Sequence, residues 1–275
     1  MLERIKNTAS LIRKKLGIAE GVEPEVGITL GSGLGELADR IKAQKSIEYS
    51  DIPGFPHSTV IGHQGRFIYG ELADRMVIVM QGRVHYYEGY TMEEVVLPIR
   101  VMCELGITTF IVSNAAGGLN PRFRTGDIMV ITDHINLLPN PLIGPNLNKL
   151  GPRFPDMNAA YDPELINIVS EVAFENGIPL RYGVYVGSSG PTFETSAEYR
   201  YFRIIGADAT GMSTTPEVIA ARHRGVRVFG LSLISNMGLG EQAGVNSHED
   251  VFATSSRATD KMCMIVEGLI EKLEK

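Results

Sequence analysis

The stretch EVGITLGSGLGELAD, residues 25–39, decides how the chain is read. Val26 to Leu30 are apolar or β-branched apart from Gly27, the composition of a buried strand. Gly31, Ser32, Gly33 and Gly35 follow at once, and Glu36, Leu37 and Ala38 then read as the start of a helix. A strand that ends in a glycine turn and opens a helix can hold an anion. The glycines let the backbone come close, and the helix N-terminus aims unpaired N–H groups at the visitor. Ser32 adds a hydroxyl in the middle of the turn. The expectation is that the remainder of the chain brings its polar side chains here and that the anion is phosphate. Two alternatives stand beside it. Glycine turns also serve as plain tight connections. A dinucleotide site would need G-x-G-x-x-G and an acidic residue about 20 residues on; the run here is G-S-G-L-G, and Asp51 lies in the turn-like YSDIPGF.

The 275 residues suffice for one large α/β domain or two small ones. With 44% hydrophobic and 21% charged residues the composition is that of an ordinary globular protein. A net charge of −6 and the lack of a long basic run argue against a nucleic-acid partner. No apolar run is long enough to span a membrane, and MLERIKNTASLIRKKL has charges throughout, unlike a secretory signal. Cys103 and Cys263 are far apart and lack metal-ligand spacing, so they read as buried thiols in a reducing cytoplasm.

In chain order, Leu2, Ile5, Ala9, Ile12 and Leu16 mark an opening amphipathic helix. Glycines and prolines from Gly54 to Gly65 punctuate a loop that holds His57 and His63; His63 is a candidate lid residue. MVIVM (76–80) is the next buried strand and runs into QGRVHYYEGY (81–90), the densest polar and aromatic cluster. If the strand persists, Arg83 and His85 share one face, and the arginine offers a planar fork suited to phosphate. A helix over 92–106 precedes the strand TTFIV (108–112), which ends in SNAAGGLN. A strand over 126–133 is followed by His134. Residues 137–157 carry five prolines and almost no periodicity. Such a loop inside a compact domain is normally functional or lies at an interface, with a linker as the alternative. The alternation then resumes: a helix over 163–177, a strand over 182–186, a helix over 196–205, a strand over 207–212, a helix from Pro216 and a strand over 226–234. Ser247 with Asp250 resembles a capping box opening the last helix, whose first turn holds His248. A cation is disfavoured there by the helix dipole, so a neutral imidazole fits better. The chain is read as a single domain over residues 1–275. It is an α/β fold with a central mixed, largely parallel twisted sheet flanked by helices.

Ligands of such sheets bind beyond the carboxyl ends of the strands. Those ends carry Ser32, Arg83 with His85, Asn114, Glu194, Met212 with Ser213, and Asn236. Each has a plain explanation singly; the repetition of glycine, small residue and polar group points to one convergent site. No cluster has zinc or carboxylate-metal spacing, and no G-x-S-x-G elbow occurs. Glycoside hydrolysis would need two carboxylates across the bond, and Glu194 is the one convincing candidate. An anion site, one carboxylate, one amide and one neutral histidine suit an enzyme whose nucleophile arrives already ionised, and phosphate is such a nucleophile.

LGSGLG (30–35), GHQGR (62–66), QGRVHYYEGY (81–90), SNAAGGLNP (113–121), RFPDM (153–157), GPTFET (190–195), GMSTTPEV (211–218) and SNMG (235–238) occur in the order seen in a known family. Over nearly its whole length the sequence resembles the trimeric, low-molecular-mass purine nucleoside phosphorylases of bacterial type. The resemblance implies a sheet that is partly barrel-like and a cytoplasmic, homotrimeric enzyme of purine salvage. It implies no metal and no cofactor, inorganic phosphate being a co-substrate. The implied reaction converts a purine nucleoside and phosphate reversibly to free base and (deoxy)ribose 1-phosphate. By the same resemblance Ser32, Arg83, His85, Ser213 and the backbone N–H of Ala115 hold phosphate. Tyr87 and Met212 contact the ribose and His248 its 5′-hydroxyl. Phe193 packs on the purine, Glu194 accepts hydrogen bonds from the base edge, and Asn236 bonds N7 and the 6-position. Asn236, His85 and Glu194 are the implied catalytic residues, and Phe154 caps the ribose of the neighbouring subunit. Met237 stands where many animal members have lysine and Ser235 where threonine is frequent. A sibling family that cleaves methylthioadenosine typically has aspartate at the position of Asn236. An amide can donate to a 6-oxo group, so inosine and guanosine are expected over adenosine, with methylthioadenosine phosphorolysis as the alternative. A dinucleotide-dependent dehydrogenase and a non-catalytic nucleoside binder are the readings from other classes.

Overall fold

The computed structural model describes residues 1–31, 34–59, 64–238 and 248–274, with the backbone alone at Ala43 and at 248–257. In chain order the elements are α1 (Leu2–Leu16), β1 (Val26–Leu30), β2 (Lys42–Glu48), β3 (Arg66–Leu72), β4 (Arg75–Gln81), α2 (Met92–Val95), α3 (Leu97–Leu105), β5 (Thr109–Gly118), β6 (Ile128–Asn136), α4 (Pro163–Glu175), β7 (Leu180–Gly187), α5 (Ser196–Ile204), β8 (Ala209–Gly211), α6 (Thr215–His223), β9 (Arg227–Met237) and α7 (His248–Glu271).

β1 is buried along its whole length because it lies between two parallel neighbours, β4 and β5. The nine strands run in the order β2-β3-β4-β1-β5-β8-β7-β6-β9, and β9 pairs back onto β5. Strands β5, β8, β7, β6 and β9 therefore close on themselves, and the sheet is partly a barrel. The pairings β2–β3, β3–β4, β5–β8 and β6–β9 are antiparallel, so the sheet is mixed. Helices cover both faces. On one, Ile5, Ile12 and Leu16 of α1 join Leu97, Val101 and Leu105 of α3 over Phe67, Ile78 and Met80. On the other, Val26, Ile28 and Leu30 meet Leu165 and Val169 of α4 and Met262, Ile265 and Leu269 of α7. Each such fully buried side chain contributes about 1.5–3 kcal/mol by leaving water.

Four expectations need correction. The segment after the glycine turn is a short 3₁₀ helix, Gly35–Arg40, and not an α-helix; the chain must turn back at once into β2. Two strands the apolar pattern does not announce, β2 and β3, extend the sheet at one edge. The helix over 92–106 is divided at Val96, because Pro98 has no N–H to bond the carbonyl of Glu94. Finally, β4 stops at Gln81 and Gly82 takes φ 99°, so Arg83 and His85 lie in a loop and not on a strand face. The capping residue Ser247 lies outside the described residues.

Candidate active site

The carboxyl ends of β5, β8 and β9, the loop after β4 and the loop after β7 surround a cavity of about 310 Å³, at the lower end of ligand-pocket sizes. Of the site residues read from the sequence, it is lined by Arg83, His85, Tyr87, Ala115, Phe193, Glu194, Met212, Ser213 and Asn236. Ser32 and His63 lie outside the described residues. His248 begins α7, which fixes its backbone, and its side chain is outside the description. Phe154 does not reach this cavity. It stands 88% exposed beside a second one that it lines with His134, Arg153 and Ile219.

Gly31, which follows β1 directly, shows why a glycine is needed there. Its N–H donates to Ser113 Oγ at 3.0 Å, and a Cβ there would run into the Ser113 carbonyl. Gly31 is thereby pressed onto β5, whose next residues line the cavity. From the opposite side Arg83 spreads over several partners. Its Nη2 donates to the Ser113 carbonyl at 2.7 Å, its Nη1 to Ser213 Oγ at 3.2 Å, and its Nε faces Glu217 at 3.2 Å. Arg83 and Glu217 are both 3% exposed, so this is a buried ion pair held beside the cavity.

Ser213 is placed by an uncommon turn. Thr214 has φ 70° and ψ −57°, and the Thr215 N–H donates back to the Ser213 carbonyl at 2.8 Å. That is a γ-turn centred on a β-branched residue, a strained arrangement. It persists because Thr214 Oγ1 accepts from Asn114 Nδ2 at 2.9 Å and lies 3.0 Å from Ser213 Oγ. Strain of this kind, about 1–3 kcal/mol, concentrates at functional sites.

His85 stacks on Tyr87, ring centroids 4.7 Å apart, and its Nδ1 lies 3.0 Å from Glu88 Oε1. Burial pulls the His85 pKa down, against the Glu88 hydrogen bond that raises it. Burial alone would push Glu88 up, but hydrogen bonds from His85 and from the Thr59 hydroxyl (2.6 Å) hold it at about 2. Burial drives the Tyr87 hydroxyl up to about 12, with Glu88 adding to it. The Tyr87 hydroxyl is thus a neutral donor and Glu88 a fixed anion that orients the His85 ring.

Asn236 owes its direction to a bulge. The β5–β9 register shifts so that Ala116 pairs with Ile234 while Gly117 pairs with Asn236, leaving Ser235 as an extra residue. In a regular strand Ser235 and Asn236 would face opposite ways; here both line the cavity. Ser235 Oγ donates to Asn236 Oδ1 at 2.9 Å. That contact uses the amide oxygen and leaves the Nδ2 side to donate. Glu194 Oε1 accepts from Thr210 Oγ1 at 2.8 Å and lies 3.4 Å from Ser188 Oγ. Cation-fork and hydroxyl groups (Arg83, Ser213) and an acceptor–donor pair (Glu194, Asn236) thus face one cavity, with Tyr87 and Met212 lining it as well.

Sequence reasoning missed Glu88, Thr210, Ser188, Glu217 and Thr214. Glu88 follows His85 by three residues in a 3₁₀ turn, a spacing that could have flagged the pair. Glu217 reads as an ordinary acidic residue in a helix's first turn; nothing local ties it to Arg83.

Residues 25–271 match the family described as the Phosphorylase superfamily, and the chain belongs to that family. It is 47% identical over 272 residues to purine nucleoside phosphorylase 1 of Geobacillus stearothermophilus, covering 98% of each chain. It is 47% identical over 258 residues to the Bos taurus purine nucleoside phosphorylase, covering 91% of this chain and 89% of that one. Its structure is similar to that of the Schistosoma mansoni purine nucleoside phosphorylase in complex with inosine, at TM-score 0.92 and 45% identity, covering 99% and 97%. No helix of the described residues is long and apolar enough to cross a membrane. Among the same residues no group of His, Cys, Asp and Glu side chains could hold a metal ion.

Proposed function

We propose that this protein is a purine nucleoside phosphorylase that acts as a single domain over residues 1–275. It cleaves purine ribo- and deoxyribonucleosides with phosphate to free base and (deoxy)ribose 1-phosphate, with inosine and guanosine preferred. The observation that carries the reading is the pairing, in one cavity, of the Arg83–Ser213 group with the Glu194–Asn236 group. The first suits an oxyanion and the second a purine edge. Family membership and the similar proteins support the same reaction.

In this reading phosphate is held by Arg83, Ser213, His85, the Ala115 N–H and Ser32. The ribose lies against Tyr87, Met212 and His248, and the base between Phe193, Glu194 and Asn236. His63 is the lid residue. The C1′–N9 bond loosens first. Its electrons pass into the purine, and Asn236 Nδ2 donates to N7 as charge builds there, so its help is concentrated in the transition state. Phosphate then forms the C1′–O bond from the opposite face, its position already fixed. A neutral His85 can take a hydrogen bond from a protonated phosphate oxygen. The preference for 6-oxopurines rests on the amide of Asn236, which donates to a 6-oxo group where an aspartate would accept from a 6-amino group. The Schistosoma mansoni purine nucleoside phosphorylase has been solved in complex with inosine and with adenosine, so the preference proposed is one of kcat/KM and not of exclusive binding. The exposed Phe154 is read as completing the ribose site of a neighbouring subunit in a homotrimer. Cytoplasmic purine salvage without a resident cofactor is the physiological setting proposed. Comparing kcat/KM for inosine, guanosine, adenosine and methylthioadenosine tests the specificity; a higher value for either of the last two overturns it.

A further inference from the structure

Helix α3 buries a guanidinium that makes no salt bridge among the described residues. Arg100 is 6% exposed, is flanked in the chain by the buried Ile99 and Val101, and its Nη1 has no hydrogen-bond partner. Arginine stays charged, and a buried charge is costly unless an anion meets it. Glu93 lines the same small cavity and its charge acts on the guanidinium, but it makes no salt bridge with Arg100. The neighbouring Arg224 is already matched, by Glu104 at 3.2 Å and the Lys149 carbonyl at 2.7 Å.

A second orphan faces that cavity. His223, at the end of α6, is 3% exposed. Its Nε2 lies 3.0 Å from the Pro152 carbonyl, which can only accept, so Nε2 carries the proton. The other ring nitrogen, Nδ1, is then an acceptor, and it too is buried without a partner. The cavity between them measures about 40 Å³ and is walled by Leu142, Leu147 and Leu150. One water needs roughly 10–15 Å³, so a small polyatomic ion has room.

We propose that Arg100 and His223 form a second anion site, which takes a small oxyanion that keeps one O–H. The donor and acceptor accounting sets this class. The guanidinium demands charged oxygen, and His223 Nδ1 demands a hydroxyl donor. Hydrogen phosphate and hydrogen arsenate meet both demands; sulfate and selenate, fully ionised at neutral pH, meet only the first. The site shares no lining residue with the large cavity. It sits behind the segment that carries Phe154, because His223 and Arg224 hold the carbonyls of Pro152 and Lys149 just before it. Occupancy would therefore stiffen that segment.

The test uses crystals of the intact protein grown free of phosphate and soaked at neutral pH in inorganic arsenate or, separately, selenate, with anomalous diffraction to locate arsenic or selenium. The expected result is an arsenic peak within hydrogen-bond reach of Arg100 Nη1 and His223 Nδ1, with no selenium peak there. The Arg100→Gln variant should lose this peak and keep the one beside Arg83. In solution, phosphate bound per chain should fall from two to one in that variant. Selenium at equal height, or a water, the Glu93 carboxylate or a neighbouring subunit's carboxylate on Arg100 in the arsenate-soaked wild type, overturns the proposal without reference to the variant or to the proposed reaction.

Discussion

Replacing Glu217 with glutamine removes one charge from a buried pair and keeps its volume. Arg83 Nε and the Glu217 carboxylate are 3.2 Å apart, and each side chain is 4% exposed. Uncoupling a buried pair costs about 3–5 kcal/mol, mostly the penalty of the charge left behind. Glutamine still accepts from Nε, so the low end, about 3 kcal/mol, is expected for the ligand-free protein. At about 2–4 °C per kcal/mol for a chain of this size, Tm in phosphate-free buffer should fall by about 6–12 °C. Phosphate binding should move the opposite way. A carboxylate roughly 6 Å from a bound anion repels it by about 3 kcal/mol per charge pair at an effective dielectric of 20. Counterions and relaxation recover part of this, so phosphate should bind about tenfold tighter, about 1.4 kcal/mol. The assays are thermal unfolding across a phosphate titration and the KM for phosphate at saturating inosine. The variant should begin less stable and gain more from phosphate than the wild type. An unchanged Tm with an unchanged or raised phosphate KM would refute the idea that Glu217 balances a charge reserved for the anion.

Three further predictions concern the remaining parts of the site. Asn236→Ala should lower kcat for inosine by on the order of 10²-fold or more, as loss of a transition-state donor does. Ser235→Ala, which frees the amide to rotate, should cost about twofold to tenfold in kcat/KM, the worth of one hydrogen bond; an unchanged kcat/KM would mean that Ser235 does not orient Asn236. Phe154→Ala should raise the KM for inosine about tenfold or more, the value of a buried aromatic contact, with phosphate KM unmoved; sedimentation should show a trimer in both proteins, and a fully active monomer would contradict the shared site. The fourth concerns acid stability. Glu88 has a folded pKa of about 2 against an ordinary 4.5, so its stabilisation is complete above 4.5 and is lost as pH falls toward 2. Burial also lowers the His85 pKa below 6.5, so protonating it below that pH costs stability in the same direction. The Tm–pH curves of wild type and Glu88→Gln should converge between pH 4.5 and 2; curves that stay parallel would mean that the His85–Glu88 contact contributes nothing.

How much of this was legible depends on how local each cause is. MVIVM and TTFIV announce β4 and β5 because strands buried on both faces need unbroken apolar runs. β2, KAQKSIE, does not announce itself, because it is an edge strand whose lysines and glutamate face water. RFIYGEL has the apolar content of a strand, but the glycines before it and Gly70 within it make it read as loop. Polar residues at strand ends were readable because each directly follows an apolar run. Arg83 and His85 reach the cavity by a different path, through a loop that Gly82 begins. The residues that orient the site were not readable. Thr210 finds Glu194, and Glu217 finds Arg83, only because β8 and α6 pack where they do. The Ser235 bulge is invisible in SNMG, because register is a property of two strands and not of one. The orphaned Arg100 reads in sequence as one more charge on a helix.

The measurement that bears most directly on the central claim is hypoxanthine release from inosine with and without inorganic phosphate, with the sugar product identified. Strict phosphate dependence, with ribose 1-phosphate formed in equal amount to hypoxanthine, is the predicted result. Hypoxanthine released with free ribose in phosphate-free buffer would make water the nucleophile and contradict the assignment of Arg83 and Ser213 to a phosphate site.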